Sequence, residues 1–388
     1  MTTGAIDLLA GEDGPVIPST EGDRAEIAAR SPLELFWRRL RRDKVAMTAL
    51  VFIGLLIVIA ILAPLIVKLF GAPDPTTPDR TTLDDFGLPS AAKGGGAFAS
   101  GHPFGVDQLG RDVFSRTVYG SRVSLEVAFI STGLAVVIGT TVGMIAAYYR
   151  GWTDSVLSRV MDIQLAFPVL LLAIGLGAAC SLGTGCLSAK GVGIPIAIFF
   201  AVIAVALAAL TSVRKSGDYL APIILGVIAV AALIFAFVGP AEGLLKPGKP
   251  VVILVIAVSG WPYMARIIRG QTLSLREKEF IDAAKSLGAS DRRIIFREIL
   301  PNLVAPIIVY STVLIPTNIL FEAALSFLGV GVQPPEPSWG AMISEATSIF
   351  DIAWWFMLFP GLALLLTVLA FNLVGDGLQD ALNPRGKK

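Results

Sequence analysis

Ionisable side chains are scarce: 16% of the 388 residues are charged, whereas 54% are apolar. That balance excludes an ordinary soluble domain and puts the chain in the membrane class. The few charges nearly cancel, 31 lysines and arginines against 30 acids, so no nucleic-acid partner is expected. Histidine is almost missing. The single His102 sits in a Gly/Pro-rich loop and cannot build a histidine metal cluster. No G-x-x-x-x-G-K-[ST] phosphate loop occurs, and the Gly-rich GGGAFASG lacks the lysine such a loop needs. The apolar stretches also lack a nucleophile-and-base set, which argues against an intramembrane enzyme. Residues 1 to 30 are acidic and polar where a signal peptide would be short and basic, so the first apolar run is expected to remain as an anchor. Only two cysteines are present, Cys180 and Cys186, in CSLGTGC. An extracytoplasmic setting would allow a disulfide between them, and two thiols at a helix end fit equally well.

Long charge-free runs are abundant. Eight reach about the 20 residues that cross a bilayer: Val45 to Val67, Val127 to Tyr149, Ile163 to Cys180, Gly191 to Val213, Tyr219 to Ala241, Pro250 to Ala265, Leu303 to Val332, interrupted by Glu322, and Ile352 to Gly375. The sixth is the shortest, with Arg266 placed to snorkel at its end. The expected fold is therefore all-α and polytopic. LFWRRLRRDK precedes the first run and sets the N-terminus inside. Alternation then brings the C-terminus inside too, along with most lysines and arginines. Arg111, Arg116 and Arg122 dissent, falling outside near the second span.

The chain divides into a disordered cytoplasmic tail over 1–34, a basic segment with the first span over 35–70, an outer loop over 71–123 and a membrane domain over 124–388. Within DQLGRDVFSRTVYGSRVSL, residues Val113, Phe114 and Val118 could form the apolar stripe of a short helix on the outer surface, with a connector that happens to be amphipathic as the equal alternative. Residues 191–250 read as an inserted hairpin of two smooth spans, which preserves the sidedness of everything after it. Glu322 breaks the seventh run, and an ionisable residue at membrane depth points to function. It could line a pathway or pack between helices. Asn318, Gln164 and Asn372 are further polar points that could face the bundle interior. Trp354 and Trp355 suit the bilayer edge.

One charged island interrupts this pattern. Glu279 to Asn302 reads EFIDAAKSLGASDRRIIFREILPN. Phe280, Ala283, Ala284 and Leu287 recur at i, i+3, i+4 and i+7, which puts small and large residues on one helical face. Gly288 suits a left-handed turn, Ser290 an N-cap, and Pro301 the far end of a second helix. The expected product is a rigid elbow over 276–302 with a polar rim that includes Asp282 and Arg292. A solvated hairpin is the plain alternative.

DAAKSLG followed by REILPN resembles the EAA loop of inner-membrane permease subunits of binding-protein-dependent ABC importers. Asp282 stands for the usual Glu, and Glu298 for an Ile. SPLELFWRRLRRDK, HPFGVDQLGRDVFSR and FEAALSFLGVGVQPPEPSWG resemble blocks of the dipeptide, oligopeptide and nickel branch, second-permease type, with Val106 where Thr is usual. The resemblance covers nearly everything from Ser31 to Pro384, except the 191–250 hairpin, which most relatives lack.

It implies a six-span core plus two extra helices, multi-pass in the cell inner membrane. It further implies a homologous second permease, two ATP-binding subunits carrying the ATP and Mg, and an extracytoplasmic substrate-binding protein. This chain would be no enzyme and would hold no cofactor. Phe280, Asp282, Ala283, Ala284, Leu287, Gly288 and Arg292 would dock into the ATPase; Glu322 and Asn318 are the candidates for pathway or gating, with helix packing or gating favoured over substrate contact for Glu322. Peptides are the implied substrate, with nickel or another small solute as the alternative. An ion-coupled secondary transporter would need inverted repeats and paired intramembrane charges, which are not evident.

Overall fold

In the computed structural model, residues 32–166, 168–181 and 248–382 are described. Among them every regular element is a helix, and β pairing is limited to isolated bridges. Residues 1–31 of the tail, Cys186 and residues 191–247 of the hairpin lie outside the described residues, as does the side chain of Cys180; residues 32–34, expected in the tail, open the first helix.

Helix α1 (Pro32–Arg42) is amphipathic and buries Leu40 against Ala46 and Ala381. Asp43 then starts α2 (Lys44–Ile61), its Oδ1 accepting from the Val45 and Ala46 amides at 3.0 and 3.1 Å. The first expected span is divided at Leu62, where α3 (Ala63–Leu69) begins with a proline in its first turn, the position that tolerates one.

Helix α4 (Val113–Tyr149) is 37 residues long and opens on the Asp112 cap, whose Oδ1 accepts from the Ser115 amide at 2.6 Å. The short outer helix expected before the second span is not separate: Val113, Phe114 and Val118 belong to the first turns of α4. Nothing between Leu125 and Val127 breaks helical geometry, so the amphipathic start and the apolar continuation fuse.

The third expected span is delivered in two pieces, α5 (Gly151–Ala166) and α6 (Val169–Ser181), interrupted at Pro168. Helix α7 (Lys249–Arg276) continues well past Ala265, because Arg266 and Arg269 find acids on α5 and need not end the helix. After α8 (Glu279–Ser286) come α9 (Asp291–Phe327), α10 (Trp339–Ala346) and α11 (Trp354–Leu382). Five of these helices, α2, α4, α7, α9 and α11, are long and apolar enough to cross a membrane, and six spans result if α5 and α6 are one bent crossing.

Helix α4 is the axle. In lipid, burying apolar surface between helices gains little, so close approach and polar contacts decide the packing. Gly139 and Gly143 supply the close approach: a Cβ on either would run into α7 backbone at Trp261 or Ala265. On its other side α4 joins α2, α9 and α11 around Ile53, Leu56, Ile319, Phe371 and Val374. One end of the bundle gathers the start of α2, the ends of α4, α7 and α11, and the start of α9. The opposite end gathers α3, the 71–112 loop and α10.

Candidate functional site

The site is the elbow between α7 and α9. Helix α8 carries Glu279 and Asp282 near its N-terminus and Lys285 in its last turn, matching its dipole. Gly288 closes it at φ 76°, a left-handed conformation that suits glycine. The Gly288 amide donates to Lys285 O at 2.9 Å and the Ala289 amide to Ala284 O at 3.0 Å, the paired bonds of a Schellman turn.

Two expectations about the second arm are corrected. Ser290 occupies the N-cap position with extended backbone, yet its hydroxyl makes no capping bond. Pro301 does not end the helix. The turn Ile294–Ile299 is widened to a π turn, with the Leu300 amide donating to Ile295 O. Widening relieves the clash a proline imposes on the preceding turn. The backbone therefore runs unbroken from Asp291 to Phe327.

Ile281 roots the elbow. Fully enclosed, it packs with Met144, Tyr148, Met264, Ile268 and Ile294. Facing away, Ala283 and Gly288 are exposed, Phe280 is 39% exposed and Leu287 88% exposed. Ala284 departs from the expected four-residue face, turning half into the core beneath. Asp282 is exposed beside Lys285, at 3.2 Å, and Arg292 points outward.

Tyr148, at the end of α4, donates from Oη to Asp291 Oδ1 at 2.7 Å. The Arg276 guanidinium lies over its ring at 5.8 Å. Arg150 pairs with Glu277 at 2.6 Å, and Arg269 forks onto Asp154 at 2.5 and 2.7 Å. Four helix ends are thus clamped around one knuckle. Sequence reasoning missed Ile281 and Tyr148; the small-xxx-small spacing of Gly139 and Gly143 was the available signal that α4 and α7 meet.

Glu322 and Asn318, one turn apart on α9, both face α4. Asn318 Nδ2 donates to Thr132 Oγ1 at 2.7 Å. Glu322 is fully enclosed, accepting from Ser124 Oγ at 2.8 Å and Ser326 Oγ at 2.7 Å. Ser326 Oγ in turn accepts from the Val332 amide at 3.1 Å, holding the turn after α9. Gln164 bonds Val258 O across to α7, while Asn372 is exposed.

At the opposite end, two of the dissenting arginines, Arg111 and Arg116, are neutralised locally, while Arg122 is exposed. Buried Asp107 binds both Arg111 (2.6 Å) and Arg116, and each of them also reaches Glu345 on α10, at 2.7 and 2.9 Å. His102 Nδ1 lies 2.9 Å from the Asp112 that caps α4, and its Nε2 lies 3.7 Å from Asp79. The Thr81 hydroxyl and amide, donating to Asp79, hold that carboxyl below the usual carboxylate range. Trp355 is no edge marker: it is buried, its Nε1 donating to Val106 O at 3.1 Å, whereas Trp354 is exposed. Among the described residues no three His, Cys, Asp or Glu side chains are grouped to hold a metal.

The profile of the family described as "binding-protein-dependent transport system inner membrane component" matches residues 139–388, and that of the "N-terminal TM domain of oligopeptide transport permease C" matches residues 31–89. The chain is 36% identical, over 95% of both chains, to the dipeptide transport system permease protein DppC of Alkalihalophilus pseudofirmus. It is also 36% identical to the glutathione transport system permease protein GsiD of Pectobacterium atrosepticum, over 93% of both, and 38% identical to GsiD of Escherichia coli, over 92% of both. A solved structure of the MetNI methionine ABC transporter, inward facing, shares 18% identity and covers 69% of this chain and 96% of its own, with a TM-score of 0.44.

Proposed function

This chain belongs to the family of binding-protein-dependent transport system inner-membrane components, and from that premise we propose that it is the translocation subunit of an ATP-driven importer of dipeptides and oligopeptides. The observation that carries the reading is mechanical. An exposed knuckle, α8, stands on a buried isoleucine and continues through unbroken backbone into a helix long enough to span the membrane. A force on Ala283 and Gly288 is therefore delivered to α9, and through Tyr148 to α4. Such packed elements switch between discrete arrangements, as alternating access requires.

In this reading two ATP-binding subunits hold the ATP and Mg, and one of them grips Phe280, Asp282, Ala283, Ala284, Leu287, Gly288 and Arg292. A homologous permease completes the pathway, and a substrate-binding protein delivers solute at the opposite end. Sidedness follows from charge: the arginines of α1, Arg150 and the cations around α8 share one end, which makes that end cytoplasmic. With the 191–250 pair counted, the chain crosses eight times and both termini are cytoplasmic. Dipeptide and glutathione relatives support a small peptidic substrate.

Reconstitution of the complete importer in vesicles tests this. Ala283→Trp, or a bulky residue at Gly288, is expected to leave the complex assembled while abolishing ATP-dependent dipeptide uptake. Normal uptake in either variant would overturn the elbow as the coupling element.

A further inference from the structure

Between α2 and α11, at the elbow end, runs a groove of 430 Å³. Its floor is Ala49 and Ala370, and its walls include Phe52, Leu369 and Leu373. Lys44 alone among the lining residues is charged, and it sits where α2 begins. Directly before it stands α1. Leu40 is the buried side of that helix, leaving Arg38, Arg41 and Arg42 exposed. Arg41 lies over the half-exposed Trp37 ring at 5.2 Å, an aromatic and a cation paired at the level where chain and solvent meet. Arg39 ties α1 to α11 through Ala381 O at 3.4 Å.

We propose that this groove is a phospholipid site: one acyl chain lies between α2 and α11, and an anionic headgroup is met by Lys44 and the arginines of α1. The nearby acids whose side chains are described leave this charge standing. Asp43 is spent on the first amides of α2, and among the described residues Asp376 and Asp380 form no ion pair with these cations. A helix from a second permease would lay an apolar stripe along the groove and gain nothing from a lysine at its mouth. A lipid offers both parts in this order, chain in the groove and phosphate at the basic end, the arrangement in which clustered cations beside a span bind anionic lipid.

The complete importer, purified in detergent, is titrated with phosphatidylglycerol and, in parallel, with phosphatidylcholine of the same chains, and lipid-bound species are counted by native mass spectrometry. The expected result is one phosphatidylglycerol per copy, retained ahead of phosphatidylcholine and not displaced by inorganic phosphate. Lys44→Gln should weaken phosphatidylglycerol about fivefold, the effect of one cation near an anionic surface, and leave phosphatidylcholine unchanged. Leu369→Trp should fill the groove and weaken both lipids. Should either variant fail to assemble, the exposed Arg41→Gln/Arg42→Gln pair reads the same headgroup term. Equal retention of the two lipids by the unaltered complex, unchanged phosphatidylglycerol binding in the variants, displacement by phosphate alone, or a crosslink from Thr48→Cys to the second permease would each overturn the proposal.

Discussion

The Tyr148 hydroxyl donates to Asp291 across 143 residues of sequence, at 2.7 Å, and so joins the last turn of α4 to the first turn of α9. Both residues sit at helix ends, where a small rotation changes the distance most. The bond ties the elbow to the end of the axle.

Tyr148→Phe keeps the ring under Arg276 and removes only this bond, whose acceptor is a carboxylate. Such bonds are worth about 1.5–3 kcal/mol. The complete importer should still assemble and hydrolyse ATP, while the ratio of solute moved to ATP consumed falls severalfold. Asp291→Asn should do the same, and the double variant should be no worse than either single one. Additive losses in that cycle would show the two residues acting apart.

Ile281 separates anchoring from docking. Ile281→Ala opens a cavity beneath α8, a change that typically costs about 2–5 kcal/mol in a well-packed core. Because the cost falls on one short element, limited proteolysis should nick the stretch between Glu277 and Ser290 in the variant and spare it in the parent. Leu287→Ala, on the exposed face, should leave that protection intact and weaken retention of the ATP-binding subunits in a pull-down.

Much of this was legible in sequence, and the parts that were not share a cause. Among the described residues, charge-free runs located the five long apolar helices and the bent α5–α6 pair, since length and hydropathy are local properties. DAAKSLG announced the elbow, and Gly288 takes the left-handed turn its position suggested. Pro301 misled because a local rule ends helices at proline, whereas one widened turn accommodates it. Ile281 was hidden for another reason: in an eight-residue helix the repeating pattern traced the exposed face, and a single buried residue has no period. Tyr148 with Asp291, and Arg116 with Glu345, are contacts across 143 and 229 residues, for which no local signal exists.

Glu322 tests what a buried carboxyl contributes between helices. Glu322→Gln can still accept from one serine and occupies the same space, so the chain should remain folded with a small loss of thermal stability. Glu322→Leu leaves the Ser124 and Ser326 hydroxyls without their shared acceptor, while Ser326 keeps the Val332 amide. With interhelical hydrogen bonds in membranes averaging about 0.6 kcal/mol and reaching ~1.7, the leucine variant should lose about 1–3 kcal/mol. Thermal unfolding of the purified chain in detergent would rank them, and a leucine variant as stable as the parent would remove the packing role.

Acid should loosen the 71–112 loop through Asp79. Its carboxyl is held below the usual range by the Thr81 hydroxyl and amide. A lowered folded-state pKa contributes stability that is present above the unfolded value and disappears as pH falls through the folded one. The difference in unfolding temperature between the parent and Asp79→Asn should therefore be visible at neutral pH and shrink as pH falls below ordinary carboxylate values. A difference that persists or grows in acid would contradict the assignment.

The same loop is held to α10 by Arg116, and here the expected cost is large. Arg116 is nearly enclosed, binds both Asp107 and Glu345, and lies over the Phe356 ring at 5.5 Å. Removing it leaves Asp107 buried with Arg111 as its remaining guanidinium partner, and breaking a buried pair typically costs about 3–5 kcal/mol. Lysine is no substitute, since a single ammonium cannot span two carboxylates or stack on the ring. Arg116→Ala and Arg116→Lys should thus both lower the unfolding temperature and open the loop to protease, whereas Glu345→Gln, which spares the Asp107 contacts, should lower it less. Were Arg116→Lys as stable as the parent, the fork geometry would be irrelevant and the loop would be held by charge alone.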